Sequence, residues 1–206
     1  MPPAATRIDT PRADLVLPDR FAGWFAARGW APHPHQLEML AAARAGDHAL
    51  LIAPTGGGKT LSGFLPTLVD LAADASAPPA GRLHTLYVSP LKALAVDIAR
   101  NLDAPIADMG LPVRCETRTG DTPTHKRRRQ REKPPHILLT TPESLSLLLS
   151  YADAPRMFAS LRGVVVDELH ALARGKRGDL LALALARLLA IAPGARRVGL
   201  SATVHD

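Results

Sequence analysis

The chain has 206 residues, 47% hydrophobic and 21% charged, the balance of one large soluble domain. Its 25 basic and 19 acidic residues leave a net charge of +6, which favours a polyanionic partner, and the lone Cys115 excludes an internal disulfide. No apolar run is long enough to span a membrane, so a cytoplasmic protein without a membrane partner is expected.

The polar, proline-rich residues 1–14 read as a flexible tail lacking the apolar stretch of a secretory signal, and residues 15–206 as one domain. Residues 48–52 predict a buried strand and 61–71 a helix, with Ala53-Pro54-Thr55-Gly56-Gly57-Gly58-Lys59-Thr60 between them. Further strands are predicted at 85–88, 136–140, 163–167 and 197–201, each short, apolar and without alternation, as for strands buried on both faces. Helices are predicted at 91–102, 142–150 and 178–191. Strands alternating with helices imply an α/β fold with a mostly parallel sheet and helices on both faces, and ligands at the carboxyl ends of the strands. Residues 74–81 are an exposed loop by composition. Residues 119–135 read as a second irregular segment, carrying the basic run 125–131: a nucleic-acid patch on one reading, a solvated helix face on the other.

The stretch at 53–60 matches the phosphate-binding loop pattern, with Ala53 where the first glycine usually stands. Gly56, Gly57 and Gly58 leave backbone N–H groups free to curl around phosphate oxygens, Lys59 supplies a positive charge, and the Thr60 hydroxyl is the expected Mg²⁺ ligand. A plain glycine-rich turn would need neither Lys59 nor Thr60. Asp167 and Glu168 stand just beyond a buried strand, Asp167 suited to hold Mg²⁺ through water and Glu168 to orient or deprotonate the water that attacks a γ-phosphate. Taken alone they are an acidic loop. Gln36 could read both edges of adenine, or simply be an exposed residue at a helix start.

In this order, Gln36, the loop at 53–60, Ser89-Pro90-Leu91-Lys92, Thr119-Gly120-Asp121, Thr140-Thr141-Pro142-Glu143-Ser144, Asp167-Glu168-Leu169-His170 and Ser201-Ala202-Thr203 resemble the first RecA-like P-loop NTPase domain of a superfamily 2 DExH-box helicase. Trp24-Phe25, Gly29-Trp30 and Gly175-Lys176-Arg177-Gly178 narrow the resemblance to the large helicase-related (Lhr-type), DNA-ligase-associated helicases. The resemblance implies ATP and Mg²⁺ as cofactors, with Gln36, Thr55, Gly56, Gly57, Gly58, Lys59, Thr60, Asp167 and Glu168 at the nucleotide. It implies nucleic-acid backbone contacts from Pro90, Leu91, Lys92, Thr119, Gly120, Thr141, Pro142, Glu143, Lys176 and Arg177. His170, Ser201 and Thr203 would couple the two sites. The implied partners are DNA rather than RNA, a second RecA-like lobe bearing an arginine finger, and a DNA ligase; the implied setting is DNA repair. A DEAD/DEAH-type RNA helicase, or a nucleotide-dependent binding module without motor activity, are the competing expectations.

Overall fold

The structure is a computed structural model, and it describes residues 16–54, 56–73, 81–173 and 175–202. Six short strands form one wholly parallel sheet: β1 (Ala49–Ile52), β2 (Thr85–Val88), β3 (Cys115–Arg118), β4 (Ile137–Thr140), β5 (Gly163–Val166) and β6 (Arg196–Ser201). Their order across the sheet is β1-β6-β5-β2-β4-β3. The helices are α1 (Asp19–Ala27), α2 (Pro34–Ala45), α3 (Lys59–Ala73), α4 (Lys92–Asp108), α5 (Thr124–Glu132), α6 (Pro142–Leu149), α7 (Ala154–Phe158), α8 (Leu169–Leu172) and α9 (Lys176–Ile191). The predicted tail and most of the 74–81 loop lie outside the described residues.

Successive strand residues point to opposite faces, so the unbroken apolar runs feed two cores. Tyr87, Leu139, Val165 and Leu200 join Trp24, Met39, Phe64 and Ile98 from α1 to α4. Leu86, Val88, Leu138, Val164 and Val166 join Leu145, Phe158, Leu181 and Leu188 from α6, α7 and α9. Gly63 brings α3 close to the sheet, since a Cβ there would lie 2.9 Å from Leu200 Cδ1. Helix ends follow their sequence signals. Gln36 Oε1 accepts from the His33 N–H at the start of α2, Gly46 closes that helix with φ +80°, and Thr141 caps α6 ahead of Pro142.

Three expectations need correction. The segment 119–135 contains α5, a helix apolar nowhere along its length, held instead by polar contacts of its arginines and the buried Gln130. The strand at 49–52 is not buried on both faces: β1 is an edge, and Leu50 and Ile52 are each 58% exposed. Gln36 is a helix-start residue, but a buried one rather than an exposed one.

His84, just before β2, gives the fold a pH dependence. Burial holds its imidazole down to about 4; Asp70 opposes this, while Arg196, Arg162 and His136 reinforce it. Asp70 is itself engaged by Arg196 at 2.5 Å. The unfolded chain therefore takes up this proton first, and stability is lost as pH falls from about 6.5 towards about 4. Each unit of separation is worth about 1.4 kcal/mol, so the loss from this group approaches roughly 3 kcal/mol. His84→Gln should flatten that part of a melting-temperature profile against pH. A variant keeping the wild-type slope would refute the assignment.

Candidate nucleotide and nucleic-acid site

The loop at 53–60 leaves β1 and runs into the first residue of α3, so its backbone N–H groups lie at a helix N-terminus. Gly56 and Gly58 adopt φ of +82° and +71°, which side chains rarely tolerate. A Cβ on Gly58 would also come within 2.8 Å of Gln36 Nε2, so the close approach of α2 requires glycine there. Gln36 is 2% exposed and reaches the Gly58 carbonyl at 3.5 Å, tying the start of α2 to the loop. Lys59 is folded inward, donating to the carbonyls of Ala53 at 2.8 Å and Pro54 at 2.9 Å. Gly57 and Thr60 complete the described part, and Thr55 lies outside the described residues. Bare glycine backbone, a lysine and a hydroxyl at one helix start are the donor set that phosphates and a hard cation require.

Asp167 follows β5, buried, with its N–H on the Val88 carbonyl at 2.9 Å. Its Oδ2 accepts from the Tyr87 hydroxyl and its Oδ1 from the Glu168 N–H at 2.8 Å, which fixes the carboxylate plane. Burial, with Asp167 and Glu168 nearby, pushes the Tyr87 phenol far up, so it stays a proton donor. Glu168 is the one non-glycine residue among those described with positive φ, at +48°. Strained backbone of this kind persists where the surroundings over-determine it. Glu168 Oε2 lies 3.3 Å from His170 Nε2, and His170 Nδ1 lies 3.0 Å from Ser201 Oγ. The Ala202 N–H also donates to Nδ1 at 3.3 Å, which places the imidazole proton on Nε2, facing Glu168. Glu168, His170 and Ser201 thus form one chain of contacts from the acidic loop to the end of β6, while Thr203 lies outside the described residues.

The turns after β2, β3 and β4 enclose a cavity of about 470 Å³. Pro90, Leu91, Lys92, Thr119, Gly120, Thr141, Glu143 and Arg177 line it, so of the contacts expected from sequence only Pro142 and Lys176 stay off its wall. Two of its cations hold carboxylates: Lys92 meets Asp121 at 2.9 Å, and Arg177 grips Glu143 at 2.6 and 3.2 Å while donating to the Pro90 carbonyl at 2.7 Å. Burial raises the Glu143 carboxyl, but hydrogen bonds from Arg177, its own N–H and Thr141 outweigh this and hold it below its usual value. Four lining residues were not among those expected contacts: Arg118, Arg127, Ser144 and Leu147. Of the basic run, Arg128 pairs with Glu132, Arg129 with Glu116 and Arg131 with Asp153, and Arg131 also stacks on Tyr151. Only Arg127 of that run lines the cavity; Arg129 and Arg131 tie α5 to β3 and to the residue before α7, while Arg128 pairs within the helix.

Comparisons with known proteins identify the family. The Lhr helicase/probable uracil glycosylase of Mycolicibacterium smegmatis is 48% identical over 194 residues, 88% of this chain but 13% of that protein. The solved structure of Mycobacterium smegmatis helicase Lhr bound to ssDNA and AMP-PNP superposes with a TM-score of 0.78 at 46% identity, over 90% of this chain and 24% of that one. The DUF1998 helicase MrfA bound to DNA and AMPPNP gives 0.80 at 29% identity, over 96% and 27%. The chain therefore spans a quarter or less of the length of the Lhr proteins it resembles. The model of the DEAD/DEAH box helicases matches residues 33–206, from just before Gln36 through the phosphate loop, the acidic pair and the end of β6, and to that family the chain belongs.

Proposed function

We propose that this domain is the ATP-binding first motor domain of an ATP-dependent DNA helicase or translocase of the Lhr type. One observation carries the reading. Because all six strands are parallel, every loop at their carboxyl ends lies along a single edge, and the strand order divides that edge in two. The phosphate loop and the acidic pair follow β1 and β5, with Ser201 ending β6 between them; the cavity turns follow β2, β4 and β3.

At the first half, Lys59 exchanges its two carbonyl partners for phosphate oxygens, and Gln36 orients the entry beside Gly58. Thr60 and Asp167 would hold Mg²⁺, which supplies charge neutralisation on the phosphates when bound. Glu168 accepts the proton of the attacking water. His170 carries its Nε2 proton against Glu168 and its Nδ1 against Ser201, so a change in Glu168 charge is felt at the end of β6. At the second half, Lys92, Arg177 and the backbone turns meet DNA phosphates rather than bases, which gives grip without sequence preference. A second RecA-like lobe bearing an arginine finger belongs to this reading, since such a residue contributes about 10³–10⁵ in turnover. A DNA ligase partner and a role in repair rest on the family resemblance alone.

Single-stranded DNA binding, followed by fluorescence anisotropy across a salt series, tests the proposal. Affinity should fall steeply with salt, and Lys92→Ala should lower the slope of log affinity against log salt by about 0.7, one phosphate contact. Binding that ignores salt would defeat the backbone-gripping half of the reading.

A further inference from the structure

Tyr87, the third residue of β2, is fully buried and stacks on Phe64 of α3, with ring centroids 4.7 Å apart and planes at 16°. A phenylalanine would fill the same space. The hydroxyl therefore needs its own account, because a buried polar group costs free energy unless it is hydrogen-bonded. Among the described residues it donates to one atom, Asp167 Oδ2. β2 and β5 lie side by side with Tyr87 opposite Val165, so the hydroxyl reaches just past the end of β5 to the carboxylate two residues on. Asp167 is 5% exposed, and both of its donors are neutral: this hydroxyl, and the Glu168 N–H on Oδ1. Lys59, the cation of the phosphate loop, turns instead to the carbonyls of Ala53 and Pro54. Each carboxylate oxygen has two acceptor sites, so one on each is left open for a cation and its waters.

We infer that Tyr87 is a positioning residue for the metal of the nucleotide site: its hydroxyl holds the Asp167 carboxylate in one fixed rotation, ready for Mg²⁺. The terminal torsion of an aspartate is soft, and a hydrogen bond on one oxygen alone leaves the other free to swing. With Glu168 N–H on Oδ1 and Tyr87 on Oδ2, the plane is set before the metal arrives, so no ordering is left to oppose binding. The packed ring supplies the rigidity, since Phe64 and the surrounding core leave the hydroxyl no other place to point. The inference deepens the nucleotide half of the proposed function and rests on it, adding a residue of β2 that lies outside both the phosphate loop and the acidic pair.

The test titrates Mg²⁺ into this chain mixed with a fluorescent, non-hydrolysable ATP analogue, starting from excess chelator and following anisotropy, alongside thermal melts. Tyr87→Phe removes one oxygen and leaves the ring on Phe64. The Mg²⁺ concentration at half-maximal binding should rise about tenfold in that variant, the usual scale for losing a group that orients a metal ligand. Binding of the analogue in chelator should stay as in the wild type. Thr85→Val is the control for a purely structural loss. Thr85 lies two residues back on the same face of β2, fully buried, with its Oγ1 2.9 Å from Thr67 Oγ1. That variant should melt lower and keep the wild-type Mg²⁺ midpoint. A Tyr87→Phe protein with the wild-type midpoint would overturn the inference whatever its melting temperature, as would an equal shift in Thr85→Val. In either case a Mg²⁺-dependent wild type leaves the nucleotide reading standing, whereas wild-type binding that ignores Mg²⁺ would remove the metal site itself.

Discussion

Lys59→Ala is expected to weaken Mg-ATP binding about a hundredfold while the domain stays folded. A charge-assisted hydrogen bond to a phosphate is worth roughly 1.5–3 kcal/mol, and alanine at 59 removes the ammonium that makes it. Lys59 does hold two carbonyls, at 2.8 and 2.9 Å, so its loss leaves the Ala53 and Pro54 carbonyls seeking water. Pro54 is exposed and its carbonyl takes up water readily, whereas Ala53 is buried beside the lost side chain, so the variant should melt somewhat lower while staying folded at room temperature. Circular dichroism should therefore match the wild type while nucleotide titration does not. A folded variant with unchanged affinity for ATP would remove the phosphate-loop assignment, and the nucleotide half of the proposed function with it.

Glu168→Gln is expected to bind Mg-ATP normally and lose about 10²–10⁴ in turnover, the usual contribution of a positioned general base. The measurement belongs in a protein of the full length of the Lhr relatives. The amide is isosteric, so the positive-φ backbone at 168 and its neighbours persist. What is lost is the carboxylate that receives a proton and faces the His170 Nε2 hydrogen. Asp167→Asn should act differently. Asp167 is buried with both oxygens accepting hydrogen bonds, so an amide there disturbs the Tyr87 contact and weakens Mg²⁺-dependent binding itself. Two variants that bound and hydrolysed ATP at the wild-type rate would reduce the pair to an acidic loop.

The strands that could be read from sequence are those whose side chains face two cores at once. Val164, Val165 and Val166 of β5 have no polar surface to meet, and the same holds for Leu86, Tyr87 and Val88 of β2. β3 was illegible for the opposite reason. Its Cys115-Glu116-Thr117-Arg118 looks like surface, because its polar heads meet partners that only the packing of α5 supplies: Glu116 meets Arg129 and Gln130, and Arg118 Nη1 the Arg127 carbonyl. α5 was obscured likewise, since an arginine anchored to a neighbouring strand and one waving in water are spelled alike. The phosphate loop was legible in outline because positive φ at Gly56 and Gly58 admits almost nothing but glycine. The inward fold of Lys59 was not, nor was the chain of contacts through His170, because both depend on which loops the parallel sheet brings to one edge.

The bare face of β1 makes the domain adhesive. Leu50 and Ile52 present aliphatic surface on a strand paired only to β6, so one backbone edge and one apolar stripe are offered together among the described residues. Such an edge is a template for strand addition by whatever extended chain is nearest. In concentrated solution the nearest is another copy of the same domain. The aliphatic stripe on that strand thus works against the chain's net charge of +6, which keeps copies apart.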